Sequence, residues 1–467
     1  MTSNEELDRL GKKLWDAAER GDQHQVALAL DQGASIEWRN TNFTEKRSLS
    51  SFVDFLLGLP SNDNLTSLHV AAWKGHESVA RLLLERGASI DAANINNWTS
   101  LHLAAWEGHE SVARLLLERG ASIDAVQKDN ATSLHVAAEK GHESVVRLLL
   151  ERGASVDAVQ NDNWTSLHLA AWKGHESVAR LLLERRASID AANINNWTSL
   201  HFAAEKGHES VARLLLERGA SIDAANINNS TSLHFAAQEG HESVVGLLLE
   251  RRAFVDAANI NKWTALHLAA EEGHESVVRL LLERGASIDA ANIDNATSLH
   301  LAAEEGHESV VGLLLERGAS IDAANNDKLT SLHLAACEGH ESVVRLLLER
   351  RASIDAADIY NWTSLHVAAS NGHESVARLL LERGASIDAV QKDNWTSLHF
   401  AALNDHESVA RLLLERGADT TVVSVRRTRS LMLITPNRHS LTRFFDRLIH
   451  KHEEQQHKPP RHHRSSN

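Results

Sequence analysis

The residues of this chain best equipped for chemistry are its 29 histidines, set beside a single cysteine, Cys337. Imidazole titrates near neutral pH and ligates metals, so such a surplus would suit acid–base catalysis or a metal centre. The spacing argues against both. Eleven histidines close a Thr-Ser-Leu-His tetrapeptide that begins at Thr66, Thr99, Thr132, Thr165, Thr198, Thr231, Thr297, Thr330, Thr363 and Thr396, with Thr264 opening the one variant, Thr-Ala-Leu-His. Eleven more, such as His109, follow a glycine or its replacement, and both sets recur every 33 residues. A histidine needed for a reaction is not needed eleven times at one spacing, and His102 and Asp124 recur with no nucleophile beside them. These 22 are read as local hydrogen-bonding groups at helix starts. Nothing in the sequence around Cys337 would activate its thiol, and one cysteine allows neither an intramolecular disulfide nor a multi-cysteine metal site. No Walker loop, dinucleotide fingerprint or HExxH is present. The expectation is a non-enzymatic chain with no catalytic residue, cofactor or metal.

Two further patterns are set aside on similar grounds. Asn97-Trp98-Thr99 and its equivalents at Asn130, Asn163, Asn196, Asn229, Asn295, Asn361 and Asn394 match the N-glycosylation pattern. The polar, acidic start of the chain, Met1 to Leu10, is unlike a signal peptide, so these matches are read as a by-product of a turn. His450, His452, His457, His462 and His463 belong to a solvated basic tail rather than a metal site.

Elements that must position these residues follow from one representative copy, Asn94 to Val126. Thr99 has the side chain of a helix N-cap, and Ser100 to Trp106 can form a short helix ended by Gly108. A second helix runs from about Glu110 to Arg119, with Val112, Leu115 and Leu116 on one face and Gly120 at its C-terminal end. Asn96-Asn97 supplies a turn, because Asn tolerates the left-handed region. One such unit cannot bury its own apolar face. Ala104 and Ala105 let neighbours approach, and stacked copies build the core. Copying also explains the skewed alphabet of 11 Trp against 1 Tyr and 29 His against 2 Met.

Thr99, Leu101, His102, Ala104, Ala105, Gly108, His109, Leu115, Leu116, Gly120 and Ala121 occupy the places of the 33-residue ankyrin repeat, and all eleven copies carry most of them. The chain therefore resembles the ankyrin repeat family. The resemblance implies an all-α solenoid of stacked helix-turn-helix units with projecting β-hairpin loops, and a concave partner-binding face made by hairpins and first helices. Ser100 departs from the proline usual at that place. Arg186, Arg252 and Arg351 replace the glycine after the second helix, which should weaken those copies by about 1 kcal/mol each.

Four segments follow. Residues 1–37 form an N-terminal capping repeat, because Leu14 to Ile36 aligns with the unit and carries polar residues for an outer surface. Residues 38–64 hold an insertion of about 21 residues with Phe52, Phe55 and Leu56, read as a small packed excursion. Residues 65–421 are the eleven repeats, and 422–467 a basic tail of net charge +7. In that tail Leu441, Phe444, Phe445, Leu448 and Ile449 have amphipathic-helix spacing, and the chain after Glu454 is expected to be disordered. The remaining -22 argues against nucleic-acid binding by the repeat body. No apolar run reaches the roughly 18 residues of a membrane span.

Copies differ at four places: before the Thr, at the two residues after Ala-Ala, and in the hairpin, where Ile95, Lys128, Asn161 and Ile194 alternate. Nine of the 11 Trp lie at the first two. These places fall on the face the resemblance assigns to partners, so they are the candidate site. Trp73, Lys74, Trp98, Trp106, Trp164, Trp172, Lys173 and Trp197 form an aromatic, lysine-flanked zone; Glu239, Glu272, Glu305 and Glu338 form an acidic one. Exposed Trp on a rigid scaffold is a typical hot-spot residue. Two blander readings compete: the Trp pack along their row as structure, or the differences are drift after duplication. The functional expectation is a monomeric cytoplasmic or nuclear scaffold or adaptor binding a protein partner. Alternatives are recruitment of a ubiquitin ligase or other enzyme through the tail, or weak docking of the tail on an anionic membrane.

Overall fold

The computed structural model describes residues 4–40 and 64–419, in which 24 α-helices alternate with tight turns. Residues 41–63 of the 38–64 insertion, and all residues from 420 including the 422–467 tail, lie outside the described residues, as do the packed excursion and amphipathic helix expected there. Backbone contacts divide the chain into two bodies, Met1–Ala236 with Gly246–Ala253, and Ala237–Val245 with Phe254–Asn467. In the first, an opening pair, α1 (Asn4–Arg20) and α2 (Gln23–Asp31), precedes α3 (Ser67–Lys74) with α4 (Glu77–Glu85) and α5 (Ser100–Glu107) with α6 (Glu110–Glu118). The same pair repeats to Glu217 in the first body and from Ala265 to Glu415 in the second.

Each first helix starts where the sequence places it. Thr66 is extended, and His69, three residues on, reaches back to it: the Thr66 N–H donates to His69 Nδ1 at 3.1 Å, with the Thr66 hydroxyl 2.7 Å from the same nitrogen. Histidine thus fills the part glutamate plays in an ordinary capping box. Because Nδ1 accepts, the hydrogen sits on Nε2, and Nε2 donates to the Trp98 carbonyl of the next repeat at 3.0 Å. The second histidine row reaches the other way, His109 Nε2 to the Trp73 carbonyl at 3.1 Å. One histidine of each row therefore bridges the same joint. Ser122 N–H to Asp91 Oδ1 at 2.9 Å closes the same joint behind the second helices. The histidine surplus is joinery.

Two glycine rows behave differently. Gly108 ends α5 at φ 78°, and a Cβ there would lie 2.5 Å from the imidazole of His142 in the next repeat. Gly120, after α6, has φ 92° but nothing within 4 Å of where a Cβ would stand. Only backbone strain opposes a side chain at the second place. Arg186, Arg252 and Arg351 accordingly stand there with φ of 66°, 69° and 69°.

The projecting loops are not β-hairpins in the strict sense. Among the described residues, β pairing is limited to isolated bridges at Asn40–Leu65 and Val159–Thr165. The reason is visible at Asn94, whose side-chain oxygen accepts from the N–H groups of both Asn96 and Trp98 at 2.9 Å. A side chain takes the donors that a ladder would use. One backbone bond then ties consecutive fingers, as from Lys128 N–H to the Asn96 carbonyl at 3.1 Å. Asn97 turns the finger at φ 62°, as expected. In the opening pair, Trp38 donates to Asp8 at 2.8 Å and its ring lies against Gly11, where a Cβ would come within 2.1 Å.

Candidate functional site

The sequence pointed to an exposed row of Trp, and the structure corrects that. None of the nine Trp at the two variable places is exposed; Trp98 and Trp106 are buried, at 4% and 7%. Their rings meet edge to face with centroids 5.5 Å apart. Trp164 lies between Trp172, at 5.8 Å, and Phe202 of the next repeat, at 4.2 Å. Trp197 packs on Phe202 at 5.1 Å and on Phe235 at 4.2 Å. Trp packing along the row is therefore structural to a large extent. What reaches the surface in the first body is the half-buried edge of Trp73, Trp164, Trp172, Trp197 and Phe235. Beside it stand the finger residues Ile194 and Ile227, 55% and 57% exposed.

The lysines of this zone are already engaged. Lys74 lies 4.2 Å above the Trp73 ring and Lys173 3.8 Å above Trp172. Lys140 sits 3.5 Å above Trp106. Trp73 Nε1 donates to Glu107 at 2.9 Å, and Lys173 lies 3.9 Å from Glu139. Cation and ring satisfy each other here, so the zone presents a braced aromatic surface rather than a free positive one.

The acidic zone of the second body is the reverse. Glu239, Glu272, Glu305 and Glu338 are exposed and pair with no lysine or arginine among the described residues. Next to them, Glu271 is pushed up from the ordinary carboxylate range, first by burial and then by Glu272, Glu305 and Glu304. Glu304 is raised in the same way, by burial and then by Glu305 and Glu338. Carboxylates crowded without a cation favour whatever brings positive charge. Cys337 is half-buried, its thiol pushed up by burial and by Glu338, the opposite of activation. Among the described residues no three His, Cys, Asp or Glu gather where a metal could be held, and no helix is long and apolar enough to cross a membrane.

The sequence reading missed the phenylalanines. The residue after Leu-His varies from Val70 to Phe202, and all three Phe there, Phe202, Phe235 and Phe400, lie 38 residues after a Trp. In each pair the rings stack across a joint at 4.2 Å, Trp362 with Phe400 included. That recurring offset was the available signal. The outer face varies less, with Gly246 and Gly312 standing where the other copies have arginine. Its Arg–Glu pairs, such as Arg152–Glu118 at 3.3 Å, are solvent-exposed and contribute little.

The family model for ankyrin repeats (three copies) matches residues 14–127, 122–193, 187–259, 253–325, 299–391 and 333–424. The chain belongs to the ankyrin repeat family. No curated protein matches it. Among solved structures, the crystal structure of the human ASB11 ankyrin repeat domain is similar, at 32% identity and a TM-score of 0.45; the match covers 48% of this chain and 99% of that one. Ankyrin repeats generally act as protein–protein interaction scaffolds and are typically non-enzymatic.

Proposed function

We propose that this ankyrin array is a scaffold or adaptor, monomeric and working in the cytoplasm or nucleus, that binds a protein partner on the face of fingers and first-helix ends. The observation that carries the reading is where the copies differ. The residues that hydrogen-bond across the joints barely change between repeats, whereas finger tips and first-helix ends do. In the first body the contact surface is the braced aromatic edge at Trp164, Trp172, Trp197 and Phe235 with Ile194 and Ile227, an apolar patch with lysine at its rim. Rigid aromatic edges give contact area at low entropy cost. The test is affinity capture from native lysate with the full chain, Ile194→Ala with Phe235→Ala, and an outer-face control, Arg180→Ala. Loss of the same captured protein in the double variant alone supports the reading. Equal capture by all three refutes it.

A second reading rests on charge. The basic tail, +7 over 422–467, is complementary to the unpaired carboxylates Glu272, Glu305 and Glu338. It would act as a self-mask over the acidic zone, an attraction that salt screens. Deleting 422–467 should then raise partner binding. Binding unchanged by the deletion would refute the mask, and sedimentation of the tail with anionic liposomes would favour membrane docking instead.

A further inference from the structure

We propose that the Thr-Ser-Leu-His histidines make the repeat stack acid-opened: its joints hold while these imidazoles are neutral and part when they take up a proton. Among the described residues the geometry offers that proton one acceptor, the threonine hydroxyl 2.7–2.9 Å from Nδ1, and no free one. In His69, His102, His135 and His201, Nδ1 accepts the threonine N–H at 3.1–3.2 Å while Nε2 donates to a carbonyl of the next repeat at 3.0–3.2 Å. These side chains are at most 1% exposed. A protonated Nδ1 could donate to that hydroxyl only by turning a donor toward the threonine N–H that now donates to it, and it would leave a charge buried in the joint.

Neighbouring charges are few. His69 faces Arg39 and His102; His102 faces His135; His168 faces His135; His201 faces His168 and His234. Asp124 faces His135, and Asp358 faces both His333 and His366; these two carboxylates favour the charged form and oppose burial. Burial still dominates. It holds His69, His102, His135, His168 and His201 down at about 4, and lowers His300, His333 and His366 as well. The second row is only half-buried and bridges the joint through Nε2 alone, as at His109, although burial lowers His175 of this row too.

The sign follows from a folded value below the unfolded one. Stability is complete above the unfolded value of about 6.5, falls as pH drops from there, and stops falling near the folded value. Within that window each such histidine multiplies the opening constant by about ten per pH unit. Ordinary carboxylates titrate mainly below about pH 5, so a decline between 6.5 and 5 carries the histidine signature.

The test uses the full chain labelled with 13C at histidine Cε1, taken from pH 8 to 4 with circular dichroism alongside. First-row signals should stay neutral through 6.5 and change only as helicity is lost. Their individual titration near 6.5 in a fully helical protein would overturn the proposal, and this readout needs no variant. In urea titrations, His102→Gln, His135→Gln and His168→Gln together should cut the pH dependence between 6.5 and 5 by roughly a thousandfold in opening constant per pH unit. Glutamine keeps an amide donor at the Nε2 position without titrating. His109→Gln should leave the slope unchanged. A triple variant with the wild-type slope would also overturn the proposal.

Discussion

Where one repeat meets the next the eleven copies are nearly interchangeable, whereas along the fingers and first-helix ends they diverge. The joint has an exacting geometry. A histidine reaches forward, another reaches back, and a glycine makes room for the imidazole that arrives. The face has looser demands. The place before the Thr holds Leu65, Trp98, Ala131 or Ser230, and all four are buried. The difference teaches that variability marks freedom from the joint's hydrogen bonds, which is not the same as exposure. A variable residue can sit inside and brace its neighbour.

Trp98 is where that comparison is easiest to break. If Trp98 braces rather than binds, Trp98→Ala should destabilise its repeat by about 3–5 kcal/mol, the cost of emptying a buried aromatic site. Half-buried Trp172 should cost clearly less. Amide hydrogen exchange across 94–184 measures both. A cost for Trp98→Ala no greater than for Trp172→Ala would return Trp98 to the binding surface. The next effect belongs to the joint. Gly108→Ala must accept a left-handed backbone and push the His142 ring aside, for about 2–4 kcal/mol together. A urea midpoint unchanged by Gly108→Ala would show that the imidazole can move freely, and the joint would be less exacting than its distances imply.

How far the sequence could carry this follows from the same contrast. Helix bounds, the glycine turns and the cap at Thr99 were legible because each rests on short-range chemistry: Ser100–Glu107 and Glu110–Glu118 lie within a residue of expectation. What His102 does was only half legible. Its bond to Thr99, three residues back, is local, but its bond to the Ala131 carbonyl crosses to another repeat. Exposure of Trp was misjudged for the same reason. Burial of Trp164 depends on Phe202, 38 residues away, and nothing within one copy announces it. The carboxylates from Glu239 to Glu338 were legible as a charge pattern because surface carboxylates need no packing partner to be recognised.

Within one repeat the two glycine rows sharpen the contrast further. Arg186→Gly should stabilise by about 1 kcal/mol, because the site has room for a side chain and only the left-handed backbone, φ 66°, is costly. The gain should appear in hydrogen exchange of the repeat that contains it and nowhere else. A loss of stability would mean that the Arg186 side chain contributes packing worth more than its strain.

The smallest effect concerns the serine that stands where the family has proline. In nine repeats, from Ser67 and Ser100 to Ser397, the buried hydroxyl has no hydrogen-bond partner among the described residues. Ala265, the one natural exception at this place, is equally buried and carries no hydroxyl to satisfy. Ser133→Ala should therefore stabilise by about 0.5–1 kcal/mol, the lower end of the cost of an unpaired buried hydroxyl. Ser133→Pro should gain a little more. Thr132, at φ −89° and ψ 170°, already holds the backbone that must precede proline. Ala265→Ser should destabilise by a similar amount, and the two changes measured by urea midpoint form a reciprocal pair. If Ser133→Ala destabilises, an ordered water serves the hydroxyl, and the joint would be wetter than its dry, repeated geometry implies.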